Sequence, residues 1–404
     1  MKRSRTSASC GRRSLCRSST SGWRYSGTAI VPTREEDRRS AFSNDSRLSE
    51  LFRTMAGRPP SRVPKVVYSS VELTMRDRFT VVGRVTGCHL FEGDGTRPID
   101  EENVHVSYTP KRVQFPQEIA AWRRSIEAEE ERKEACGLQH RWNNARFAVE
   151  RVVVTRTHLA EEPVVSLTLR DADYFDFLTT SLNLDGRRQR NGLTLRQQYL
   201  EGGDPADAPS WMNCSFGINV ALETGKDGKM LFSRRSAQVA GPNSARWNSS
   251  ANEGLAQQHD LPRDGSPISL HAVARRALFE ELAVHDGDKP RVELLGFGLD
   301  LDNHQWAAFF RAVVPELDEP TLRLRWTRGI TDKWEHDRFE FVDADPESVL
   351  GFLADEPQAL WTPCAPALFY LALVRGAVER LGGDPAGRVT VERAEQKVMS
   401  DRGL

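Results

Sequence analysis

The stretch Arg276-Ala277-Leu278-Phe279-Glu280-Glu281-Leu282-Ala283-Val284 decides how the second half of this 404-residue chain is read. Extended upstream, Leu270, Val273, Ala274, Ala277, Leu278 and Leu282 recur at the three- and four-residue spacing of one helix face, with Arg275, Arg276, Glu280 and Glu281 on its flanks. Ser266-Pro267 offers a cap and a first-turn proline, so the spacing predicts a helix opening there. On its N-terminal side lie two alternating runs, residues 215–222 and 229–234, joined by Gly225-Lys226-Asp227-Gly228, which read as a β-hairpin. A long polar loop, residues 236–265, separates hairpin and helix, and loops of that length within a domain are usually functional or disordered. On the C-terminal side, residues 292–299, 305–314 and 338–342 read as strands, and 346–354 and 366–381 as closing helices. Strands, one helix, strands again and then helices predict a mixed sheet sandwiched by helices.

The first half is smaller in its elements. Strands are predicted at 66–68, 79–85, 104–108, 147–154 and 164–169, and a helix opening at Pro116 and ending near Cys136. The charge run at 127–134 within it reads as a solvated helix face. Asp173 is placed to cap a short aromatic helix with Tyr174, Phe175, Phe177 and Leu178. The expected organisation is a disordered basic tail at 1–63, an α+β region at 64–205, the mixed α/β domain at 206–382 and a polar C-terminal tail at 383–404.

Charge supports that division. Lys+Arg and Asp+Glu number 56 and 57, but residues 1–65 hold 15 against 5, which leaves the remainder net acidic. A chain so nearly neutral is a poor electrostatic partner for nucleic acid, and only the basic tail could make such a contact. Met55 is an alternative start within that tail. Six cysteines without a C-x-x-C pair suit reduced thiols in the cytoplasm rather than a disulfide framework or a zinc ribbon. No apolar run reaches the roughly 20 residues that span a bilayer. G-x-S-x-G, H-E-x-x-H and G-x-G-x-x-G are all absent.

The quoted stretch resembles the second half of the Nudix hydrolase signature, R-E-U-x-E-E-x-G-U, where U is a bulky aliphatic residue. The order of elements over residues 212–382 is similar too: a hairpin ending in Arg234-Arg235, a loop, the glutamate helix, Leu294-Leu295-Gly296-Phe297, Ala307-Ala308-Phe309-Phe310, and Trp334-Glu335-His336 before a last strand. The resemblance implies a binder or hydrolase of a nucleoside-diphosphate-linked, nucleotide-like metabolite. Magnesium would be held by Glu280, Glu281 and the loop residue Glu253, and Arg276 would orient Glu280. Adjacent carboxylates suit this ion, which takes oxygen ligands and activates water beside phosphoryl groups. Arg234, Trp247 and Glu335 are the expected substrate contacts, and Trp334 could stack on a base. Tyr174, Trp142 and Arg146 are candidates to complete the substrate wall from the first region, whose other expected use is a homodimer surface.

Two positions depart from the signature. Ala277 stands where the family has the first glutamate, on the same turn as Glu280 and Glu281, and Ala283 replaces the glycine. The alternative reading is therefore a catalytically degenerate sensor or regulatory binding module. Glu280-Glu281 can also be read as an ordinary solvated flank paired with Arg275 or Arg276. His271, His285, His304 and His336 show no zinc-ligand spacing and read as surface or satisfied residues.

Overall fold

The computed structural model describes residues 78–238, 243–329 and 335–404. The expected tail at 1–63, the strand at 66–68 and Trp334 lie outside them. In chain order the strands are β1 (Thr80–Val81), β2 (Arg84–Val85), β3 (Cys88–Glu92), β4 (Val104–Arg112), β5 (Ala145–Arg156), β6 (Pro163–Asp173), β7 (Phe216–Thr224), β8 (Lys229–Arg235), β9 (Trp247–Asn248), β10 (Ala251–Gly254), β11 (Arg291–Asp300), β12 (Gln305–Val314) and β13 (His336–Asp343). The helices are α1 (Gln117–Ala135), α2 (Tyr174–Thr179), α3 (Leu195–Tyr199), α4 (Gln257–Asp260), α5 (Leu270–Leu282), α6 (Glu319–Thr327), α7 (Pro346–Asp355), α8 (Ala365–Leu381) and α9 (Asp384–Arg402). The fold is mixed α/β.

Its centre is a sheet of order β13-β8-β7-β12-β11-β3, with β10 added to β7 and β9 to β8. The β7–β12 pair is parallel and its neighbours are antiparallel. Alternation along these strands sends side chains to two separate cores. Ile218, Val220 and Leu222 of β7, with Ala308, Phe310 and Ala312 of β12, face α5 and the second sheet, β4-β6-β5. Ala221, Phe232, Ala307 and Phe309 face α7, α8 and α9. Each buried Leu, Ile or Phe on these faces contributes about 1.5–3 kcal/mol relative to exposure.

The structure corrects several expectations. β3 comes from the expected first region yet pairs with β11, so that region supplies an edge of the large sheet. Residues 384–402 form α9 rather than a tail, because Val391, Ala394 and Val398 recur on one face and bury against α7 and α8. The polar loop at 236–265 contains β9, β10 and α4. The glutamate helix starts at Leu270, capped by Ser269, whose hydroxyl accepts the Ala272 N–H at 3.1 Å, rather than at Ser266-Pro267. Among the described residues no helix is long and apolar enough to cross a membrane.

Candidate functional site

α5 places its acidic and basic residues by helical geometry. Ala277 and Glu281, four apart, share the buried face, at 0 % and 2 % exposure. Ala277, standing in place of the signature's first glutamate, is therefore a core residue. Arg276 and Glu280 each lie one position earlier, on the flank. β10 pairs with β7 in the register Asn252↔Asn219, and this brings Glu253, expected in a loop, beside the helix.

Arg276 joins three carboxylates. Its Nη1 lies 3.1 Å from Glu253 and 3.0 Å from Glu280, and its Nη2 3.0 Å from Asp260. Glu281 makes different contacts: one oxygen accepts the Asn252 backbone N–H at 2.9 Å, and the other lies 2.8 Å from His336 Nε2. The carboxylates of Glu253, Glu280 and Glu281 were expected to surround one magnesium ion. Instead the Arg276 guanidinium bridges Glu253 and Glu280 and supplies the positive charge itself, so this trio does not fit such an ion. The donors that do come together are Glu281, Glu335 and His336, all within 4.8 Å of one another.

Beside these groups lies a cavity of about 270 Å³, lined by Arg146, Tyr174, Phe177, Arg235, Asn252, Glu253, Glu281, Asn303, Gln305 and Glu335 among others. Burial, with the negative charges of Glu281, Glu280 and Asp260 opposing Arg276, pushes the Glu253 carboxyl up to about 7. Arg146 reaches in from β5. Its Nη1 donates to Ser215 Oγ at 3.2 Å, and its guanidinium lies 5.0 Å from the Tyr174 ring centre and 5.7 Å from that of Phe177. No carboxylate among the described residues is within ion-pairing distance of it, and burial lowers its pKa from the ordinary value. Gly254 gives this side chain room, since a Cβ there would stand 3.2 Å from Arg146 Nη1.

The expected substrate contacts separate. Arg146, Tyr174 and Glu335 line the cavity. Trp142 is 72 % exposed and packs on His140 instead. Trp247 is a core residue, 1 % exposed, against Phe352 and Trp361. Arg234 donates through Nε to the Ala245 carbonyl at 3.2 Å, while its neighbour Arg235 reaches the cavity. Nothing in the local sequence pattern singled out Asn252, Asn303 or Gln305. For His336 the available signal was its adjacency to Glu335 at the start of a strand.

No family model matches the chain, and no curated protein matches it. Among solved structures, the crystal structure of Shewanella oneidensis NrtR is similar at 15 % identity with a TM-score of 0.26, over 41 % of this chain and 63 % of that one. The chain thus spans less than two thirds of that protein's length.

Proposed function

We propose that the protein is a Nudix-like binding module for a nucleoside-diphosphate-linked metabolite, with diphosphate hydrolysis lost. The observation that carries this reading is Arg146. A guanidinium with no carboxylate partner among the described residues, flanked by two rings and turned to a polar cavity, is suited to a phosphate or diphosphate group. Tyr174 and Phe177 offer faces for a base or sugar beside it, and Asn252, Asn303 and Gln305 offer donors and acceptors for hydroxyl groups. Against turnover stand Ala277, packed in the core, and the Arg276 bridge that occupies Glu253 and Glu280. A second reading, hydrolysis with Glu253 as general base, draws support from its carboxyl standing near 7, in the range that suits such a role.

Calorimetry on the full chain with nucleoside diphosphates, nucleoside diphosphate sugars and dinucleotides, each with magnesium and with a chelator, tests this. Saturable binding is expected in either condition, with no phosphate release. Arg146→Ala should weaken it by roughly 30- to 100-fold, the loss of a charge-assisted hydrogen bond. Binding should also tighten from pH 8 to pH 6 for a ligand whose own charge is constant, because protonating Glu253 removes a negative charge beside the anion. Metal-dependent phosphate release, lost in the Glu280→Gln/Glu281→Gln double variant, would support the hydrolase instead. Absence of binding across the series would sink both readings.

A further inference from the structure

We propose that Glu281, Glu335 and His336 bind a divalent transition ion of the zinc type, with the cavity supplying its open coordination position. The inference is independent of the nucleotide reading, since it concerns the ion alone.

The ligand set differs in kind from the all-carboxylate trio expected on α5. An imidazole and two carboxylates suit zinc and its neighbours, whereas magnesium takes oxygen ligands and keeps its waters. Two parts of the fold converge to make it: the buried face of α5 supplies Glu281, and the chain entering β13 supplies Glu335 and, as the first residue of that strand, His336. Donors on a tetrahedral ion at about 2.0–2.2 Å stand roughly 3.3–3.6 Å apart. The three donors lie within 4.8 Å of one another, so small side-chain adjustments would bring them to that spacing. Glu281 Oε2 and His336 Nε2 stand 2.8 Å apart as a hydrogen-bonded pair, so an ion would take the place of the shared proton and part them slightly.

The surroundings fit that role. Glu281 and His336 are buried, so their orientation is fixed by packing, and the Asn252 backbone N–H holds one oxygen of Glu281 at 2.9 Å, which aims Oε2 at His336. Glu335 is half-buried. Among the described residues its ion-pair partner is Arg235 at 3.7 Å, longer than a charge-assisted hydrogen bond, so the carboxylate can turn to an ion at small cost. Glu281 and Glu335 both line the cavity, whereas Glu280 does not, which turns the ion's fourth position toward open space. Three protein ligands with one position left open is the arrangement of zinc sites that act on a bound water or ligand rather than on the fold.

The full chain, stripped of metal with a chelator and then dialysed, is titrated with cobalt(II) as a spectroscopic probe and with zinc(II) and magnesium(II) by calorimetry, without nucleotide. One equivalent of cobalt should bind and develop visible absorption of a low-symmetry site, and zinc should compete it away while magnesium at hundredfold excess does not. Glu335→Gln, an isosteric change at a half-buried position, should weaken zinc binding by at least tenfold, and His336→Gln by more. Circular dichroism checks that both variants are folded, and Glu335→Gln carries the test alone if the other is not. Failure of the wild-type chain to take up zinc or cobalt, equal binding of magnesium, or unchanged zinc affinity in Glu335→Gln would overturn the assignment. Nucleotide binding that persists in the chelator, with no zinc uptake, would remove this site while leaving the proposed function standing.

Discussion

Ala283 shows how much one residue discloses. It ends α5 in the left-handed region, with φ of 57°, and the Ala283 and Val284 N–H groups donate to the carbonyls of Phe279 and Leu278 at 3.0 and 3.1 Å. That is the paired bonding of a helix stop that glycine normally supplies, because a Cβ is crowded there. The departure from glycine is visible in the sequence, and the alanine takes the left-handed conformation that glycine favours. Ala283→Gly should therefore raise the unfolding free energy by about 0.5–1 kcal/mol, the relief of left-handed strain less the added freedom of the unfolded chain. Urea denaturation measures it, and a loss of stability would mean that the Ala283 methyl packs more favourably than its backbone is strained. The glutamates are less readable at this scale. Glu280 and Glu281 are adjacent letters, yet one joins the Arg276 bridge and the other is buried against His336. Successive helix positions lie about 100° apart, so only one of the two can face the sheet.

At the scale of elements, legibility in the sequence follows how much apolar surface each element buries. The β7–β8 hairpin and the α5 face were legible because Ile218, Val220, Leu222, Val273 and Leu278 alternate or recur with the period of their element. β9 and β10 were not, since Asn248, Ser249, Ser250 and Asn252 carry no apolar alternation. Their burial is made tolerable by pairing with β8 and β7 and by side-chain bonds such as that of the Ser250 hydroxyl, which accepts the Leu222 N–H at 2.8 Å. α9 is not legible because its buried apolar face is only Val391, Ala394 and Val398, with glycine at the closest approach. A Cβ on Gly387 would stand 2.4 Å from the Val378 backbone nitrogen and 2.6 Å from its Cα, both on α8. Two effects oppose each other in Gly387→Ala. Helix propensity favours alanine by about 1 kcal/mol, while a backbone clash that the neighbour cannot evade costs about 1–3 kcal/mol. The clash should win, so Gly387→Ala is expected to destabilise and Gly387→Val to do so more strongly, as read from urea midpoints. A stabilised alanine variant would show that α9 can shift away from α8 at little cost.

Across the whole molecule, the near-cancellation of charge is realised partly in a buried network that no local pattern announces. Arg311 sits in the middle of β12 at 2 % exposure, with Glu223 of β7 at 2.7 Å, Glu293 of β11 at 3.0 Å and Glu379 of α8 at 2.9 Å. Its neighbours in sequence are apolar, so the pattern marks residues 305–314 as a strand but does not say that a charge lies paired within it. Only the topology, which sets β7, β12 and β11 side by side beneath α8, brings the three carboxylates to one guanidinium. Arg311→Met removes that cation and leaves carboxylates desolvated, with Arg291 and Arg375 still pairing Glu379 and Glu293. The cost should be about 3–5 kcal/mol at pH 7, the usual penalty for removing one partner of a buried ion pair. The pH dependence gives this prediction its sign. Hydrogen bonding from Arg291, and then from Arg311, holds the Glu379 carboxyl down at about 2, below its unfolded value. The stability it confers is therefore fully present above the ordinary glutamate pKa and is lost as the pH falls toward 2. In Arg311→Met part of that depression is gone, so the stability gap between wild type and variant should be largest near neutral pH and narrow below about pH 4.5. Urea unfolding of both proteins at pH 7, 5 and 3.5 reads the gap directly, and a gap that stayed constant or widened toward low pH would show that Arg311 contributes through its packing and not through its charge.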